Sequence, residues 1–355
     1  MMGKKILTLL LLALLCSPFT TFASETFTEQ PATDEAGVKA SIKEYITHHL
    51  EDSYDFSIWH AVGLEFPLPI ILIDEGVHVF SSAKFHHGET VAESDGKFYK
   101  IYHAKIYRTD AEGTITMDPA TNHPEQIKPW DFSITKNVVS IFLFGLLIFV
   151  LFTSVARSYG ETQIPNKLGR FLEPLVIFVR DDIAIPNIGE KHYRRYMGYI
   201  LTVFFFIWFI NLAGLTPLGI NVTGNIAVTF ALALITFLIT QFTAKKSYWM
   251  HIFWNPSVPV FMRLPLAAIE LLGVFIKPFS LMIRLYANMT AGHVVIMSLI
   301  GLLYIFNNWF AKGAFLGLTL FLSIIELLVA FLQAYIFAML TALYFGAAVE
   351  ESDHH

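Results

Sequence analysis

From residue 136 onward the chain reads as long apolar blocks separated by short polar connections. Five blocks stand out, at 138–156, 196–218, 225–243, 265–306 and 313–349. Each is long enough to cross a bilayer core, which needs ~20 apolar residues as a helix. The last two are far longer than that. At about 1.5 Å per residue they would measure roughly 63 and 55 Å if straight. They must tilt, kink or extend beyond the bilayer, and Pro278 is a candidate kink in the first of them. Residues 24–135 follow another pattern, rich in charge, His and Gly. There "KFYKIYHAKIYRT" (97–109) alternates with a strand period, and "AGVKASIKEYITHHLED" (36–52) predicts a short helix. The expected architecture is an all-α polytopic membrane domain at 136–350 with about five spans, the last two a long tilted hairpin. A small α+β domain precedes it at 24–135, and a tail follows at 351–355.

Between the first two blocks lies a basic connection, 157–195, with an amphipathic stretch "LGRFLEPLVIFVRDDI" (168–183). Basic residues also set the topology. Arg157, Lys167, Arg170, Arg180, Lys191, Arg194 and Arg195 share this connection, and Lys245, Lys246 and Arg263 fall on the same side two crossings later. The opposite connections, 219–224 and 307–312, carry only Lys312. Positive-inside logic puts residues 24–135 outside and the tail in the cytoplasm. Residues 1–23 read as a secretory signal peptide that exports the same region. Lys4 and Lys5 form its basic start, 6–15 its apolar core and Thr21-Phe22-Ala23 its cleavage site. Leu15 is too bulky for a lipoprotein signal at Cys16. Cys16 is also the only cysteine, so the mature chain would hold no disulfide. Trp130, Trp249, Trp254 and Trp309 fall near the expected interfaces.

Composition agrees with a membrane protein. Mean hydropathy is +0.55, charged residues make up 15% and there are 33 Phe, against about 25% charge in soluble chains. The net charge of −5 and the lack of a Gly-rich phosphate loop give no reason to expect a nucleic-acid partner. His48-His49, His86-His87 and His103 invite a zinc reading, but no HExxH string or cysteine pair supports it. No metal or cofactor is expected. "NVT" (221–223) is read as a chance match to a glycosylation acceptor.

Chemistry concentrates in the last two blocks. Glu270, Lys277 and Arg284 are spaced by seven, and seven residues return to nearly the same helix face. Asn288 and Ala291 continue that face, with Gly273, Ser280 and Ala287 on or beside it. Small side chains let another helix approach closely, which accounts for Ala287 and Ala291 but not for Arg284. A mid-membrane guanidinium costs from about 3 to more than 10 kcal/mol, and intramembrane ions are functional by default. Lys277 lies where it can reach a lipid head group. In the fifth block Glu326 and Gln333 are again seven apart. Gln333 offers a neutral partner to a guanidinium. His293 and Glu326, on neighbouring helices, form a candidate proton-relay pair.

The strings "KPFSLMIRLYANMTAGH" and "ELLVAFLQAYIFAMLTALYF" resemble subunit a of the F-type ATP synthase, the stator half of its proton channel. "NLAGLTP" (211–217) and "GNIAVTFALAL" (224–234) resemble that family's central spans, and the likeness covers about 136–350. The resemblance implies a non-catalytic subunit of the bacterial inner membrane. Its implied partners are the c-ring, the peripheral-stalk subunit b, the other synthase subunits and the lipid bilayer. It implies that Arg284 faces the rotor's essential carboxylate, with Gln333 opposite and Asn288 one turn on. Glu270 and Lys277 match polar positions of the same helix, and His293 and Glu326 match a pair assigned to a proton half-channel. Many bacterial members carry Glu first and His second; here the two are exchanged, as in mitochondrial members. Ser280, Ala287 and Ala291 are the small residues that would face the rotor. The rival reading is a secondary ion-coupled transporter with an intramembrane Arg/Glu/His site, although 136–243 does not echo 264–349 as a repeat would.

Overall fold

A computed structural model describes residues 52–59, 64–88, 90–118, 124–162, 167–216, 220–254, 259–306 and 308–350. The expected signal peptide, the expected helix at 36–52, His48-His49 and the tail lie outside these residues.

Among the described residues eight strands occupy the polar N-terminal region: β1 Asp55–Trp59, β2 Leu64–Pro67, β3 Pro69–Ile73, β4 Val77–Ser81, β5 Ala92–Ser94, β6 Lys97–Tyr102, β7 Lys105–Thr109 and β8 Trp130–Asp131. They form an antiparallel pair β1-β2 and two three-stranded sheets, β4-β3-β8 and β5-β6-β7. Alternation at 97–109 does give strands, but two of them. His103 and Ala104 take positive φ (46° and 51°) and close a two-residue hairpin between β6 and β7, as the right-handed strand twist favours. Ile70, Leu72, Phe80, Phe85, Tyr99 and Ile106 make the core. This core is tied to the first long helix by three backbone donors. Ile134 donates to the Pro69 carbonyl at 3.1 Å and Lys136 to that of Ser53 at 2.9 Å, while Asn137 donates to the Asp52 carboxylate at 3.1 Å. Burial holds the Asp52 carboxyl above its usual range despite that bond.

Eight helices follow among the described residues: α1 Lys136–Thr162, α2 Lys167–Phe178, α3 Ile185–Ile188, α4 Tyr193–Gly214, α5 Ile226–Thr243, α6 Lys246–Phe253, α7 Val260–Ile305 and α8 Trp309–Val349. Five of them, α1, α4, α5, α7 and α8, are long and apolar enough to cross a membrane, so the chain is a multi-pass membrane protein with a strand-built extension. α7 runs 46 residues and α8 41, or about 69 and 62 Å at the standard rise. Helical structure continues through Pro278 without interruption.

Packing groups the chain into two units. One holds the strand region, residues 213–221 and the facing ends of α7 and α8, from His293 and up to Ile324, where Ile296 and Ile300 pack on Leu322. Asn221, in this unit, is buried, which agrees with a chance glycosylation match. The other unit is the helical core. Its phenylalanines interlock: Phe152 on Phe205 at 5.0 Å, Phe204 on Phe331 at 5.8 Å, and Tyr196 stacked on Phe345 at 4.6 Å. The amphipathic stretch forms α2 and a π-helical turn, Val179–Ala184, that buries Val179, Ile183 and Ala184. Within this core Ala334, Ala338 and Ala342 of α8 are fully buried at every fourth position, and Gly346 continues the stripe. Gly346 lies so close to the Asn187 carbonyl that a Cβ there would collide with it.

Candidate functional site

Arg284 is half-buried, at the boundary between two faces of α7. On one side Leu281, Met282 and Leu285 pack with Ala334, Phe337 and Ala338 of α8 in one buried cluster. On the other, Ser280, Ile283, Ala287, Asn288 and Ala291 are exposed. The face that was expected to be small and polar is therefore open, while the close helix–helix seam uses the alanine stripe of α8 instead. Among the described residues Arg284 makes no ion pair or hydrogen bond, and Tyr344 lies within its electrostatic reach. A cation held in a low-dielectric setting without an anion is costly. The open face next to it is where a counter-charge from outside the chain can approach.

Gln333 is buried, one residue before the cluster member Ala334. The structure forms no hydrogen bond between it and Arg284. Glu326 is also buried, and its carboxylate lies against the backbone of Gly292. A Cβ at 292 would come within 2.7 Å of its Oε1. Only glycine leaves room for the acid there, immediately before the buried His293. Gly292 did not stand out in the sequence, where a glycine inside an apolar helix reads as a packing residue. Its value depends on what α8 brings opposite.

Toward the start of α7 the stripe has partners within the chain. Glu270 pairs with His251 Nδ1 of α6 at 3.3 Å. Lys277 places its Nζ 5.5 Å from the Tyr344 ring centre. An aromatic face stabilises an ammonium as a head group would. Lys277 and Tyr344 line a narrow cleft together with Thr236, Thr240, Gln241 and Tyr248. Neither His251 nor Tyr344 was signalled by the sequence, because each acts through a neighbour on another helix. Trp254, expected at an interface, lies under the Arg263 guanidinium at 4.9 Å. In the strand region His103 is a turn residue and His86 is exposed with φ of 41°. Among the described residues no three His, Cys, Asp or Glu side chains cluster to hold a metal.

A family model described as ATP synthase A chain matches residues 138–346, and one described as a domain of unknown function matches 45–132. The chain is 40% identical over 235 residues to ATP synthase subunit a of Chloroherpeton thalassium, covering 64% of this chain and 70% of that protein. It is 42% identical over 246 residues to ATP synthase subunit a 2 of Chlorobaculum tepidum, covering 65% and 67%. Similarity to ATP synthase subunit a of an Anaeromyxobacter species is 34% but spans 333 residues, 90% of this chain and 74% of the relative.

Proposed function

Because the chain belongs to the ATP synthase A chain family, we propose that it is the stator subunit that couples proton flow to rotation of a c-ring, with Arg284 as the coupling charge. The observation that carries this is a half-buried guanidinium with no internal anion among the described residues, set beside an open face of α7. Such a site suits a moving carboxylate on a neighbouring subunit.

Protons enter from outside along a half-channel that includes Glu326 and His293 and neutralise a rotor carboxylate. The neutral site can then enter lipid, since it no longer carries charge. After nearly a full turn it loses its proton to a second half-channel toward the cytoplasm, near Lys277 and Glu270. Arg284 attracts the ionised carboxylate and so favours release. It also blocks a direct hop between half-channels, because a guanidinium does not give up its proton. Gln333 on α8 is the neutral residue opposite the guanidinium and Asn288 lies one turn on, while Ser280, Ala287 and Ala291 leave room for the rotor to slide. Each charge crossing 100 mV supplies ~2.3 kcal/mol, which a leak would dissipate.

The chain performs no catalysis itself and works with the c-ring, subunit b and the other synthase subunits. It lies in the bacterial inner membrane with residues 24–135 outside and the C-terminus in the cytoplasm, after removal of residues 1–23. Inverted membranes carrying Arg284→Ala test the central role. ATP-driven proton pumping and ATP synthesis should both be lost while the complex still assembles. Synthesis at the wild-type rate would rule out Arg284 as the coupling charge.

A further inference from the structure

The sheet β4-β3-β8 is apolar on its outer face as well as over much of its inner one. Ile70, Leu72 and Phe80 point into the core. The opposite face carries Ile71 and Ile73 of β3, Val77 and Val79 of β4, and Trp130 with the following Phe132. Register places Ile73 opposite both Val77 and Trp130, and Ile71 opposite Val79, while Phe132 donates its amide to the Ile71 carbonyl at 2.9 Å. These six side chains form one contiguous patch. Trp130 is 74% exposed, Val77 65%, Val79 63% and Phe132 58%. An antiparallel sheet with one wetted face alternates apolar and polar residues; this one does not, and its outer face requires a cover.

We propose that this face lies on the lipid surface from which α1 enters the bilayer, with Trp130 and Phe132 in the head-group layer and the aliphatic residues against it. Continuity with the first span selects lipid as the occupant. Phe132 is four residues before Lys136, where α1 begins, so even a fully extended chain holds it within about 14 Å of the helix start. The connection is also rigid, because Ile134 is bonded to Pro69 at the foot of β3 and Lys136 to Ser53. The interfacial layer is itself about 5–8 Å deep on each side of the core. The aromatic edge of the patch is the part nearest the span, within reach of the layer where Trp partitions. The strand region acts as a foot that fixes α1 at the membrane surface, whether or not the rotor mechanism above is correct.

The test uses the assembled synthase in vesicles of phosphatidylethanolamine and phosphatidylglycerol. Nitroxide labels are attached at Val79→Cys and Phe132→Cys, with Lys105→Cys on the other sheet as reference. Power-saturation spectroscopy compares collisions with oxygen, which concentrates in lipid, and with a polar nickel chelate. A several-fold excess of oxygen over nickel collisions at 79 and 132, but not at 105, supports the proposal. Nickel-dominated collisions at all three would place the face in water and overturn it. Exclusion of both reagents at 79 and 132 would show a protein cover instead, and also overturn it. If a labelled variant fails to assemble, wild-type and Trp130→Phe complexes in brominated lipid give the same answer. Wild type should lose more fluorescence to bromine than the variant, and equal quenching would overturn the proposal.

Discussion

At the scale of single residues, the space left empty matters as much as the charge placed. Glu326 can lie against α7 only because residue 292 has no side chain. Gly292→Ala should therefore leave the helices intact, since alanine favours a helix by roughly 1 kcal/mol over glycine. The added methyl would displace the carboxylate, which ends a flexible side chain and can swing away. Proton flux through the reconstituted complex should fall by about tenfold, equivalent to ~1.4 kcal/mol on the barrier. Full flux in a correctly assembled Gly292→Ala complex would mean that the observed position of Glu326 is unimportant to the path. Arg284, Gln333, Glu326 and His293 could all be singled out from the sequence, because polar groups in an apolar run carry a visible cost. Gly292, His251 and Tyr344 could not. Their roles arise from contacts between helices, which spacing along one helix does not encode.

At the scale of elements, hydropathy located all five spans, with ends shifted by a few residues. It could not decide which small residues face the protein. Ala287 and Ala291 of α7 look like a packing stripe but are exposed, whereas Ala334, Ala338 and Ala342 of α8 are buried in the core. Both stripes have the same spacing, and only the partner surface tells them apart. Gly346 is the tightest point of that seam, facing the Asn187 carbonyl. The neighbour is backbone and cannot swing aside as the Glu326 side chain can. Gly346→Ala should cost on the order of 1–3 kcal/mol, the usual range for overpacking. A fall in the midpoint of thermal unfolding of the purified chain in detergent, and in its yield in membranes, would register it. Gly313→Ala is the control, since nothing lies within 4 Å of a Cβ there. Equal effects from the two would show that helix α8 is sensitive to any added methyl, not to this contact.

For the molecule as a whole, the residues that carry charge in the membrane are not satisfied in the same way. Glu270 and Lys277 have partners inside the chain, His251 and Tyr344, while Arg284 has no internal anion among the described residues. A self-contained transporter closes its ion site within its own helices, whereas a stator leaves one charge to be met by another protein. The two readings differ in one measurable property. The purified chain alone, reconstituted in vesicles with an imposed membrane potential, should show no proton uptake above that of protein-free vesicles. Adding the c-ring and subunit b should produce a proton conductance that Arg284→Ala alters. Substrate-stimulated uptake by the chain alone would instead indicate an ion site complete within one polypeptide, with the open face beside Arg284 turned to lipid and not to a rotor.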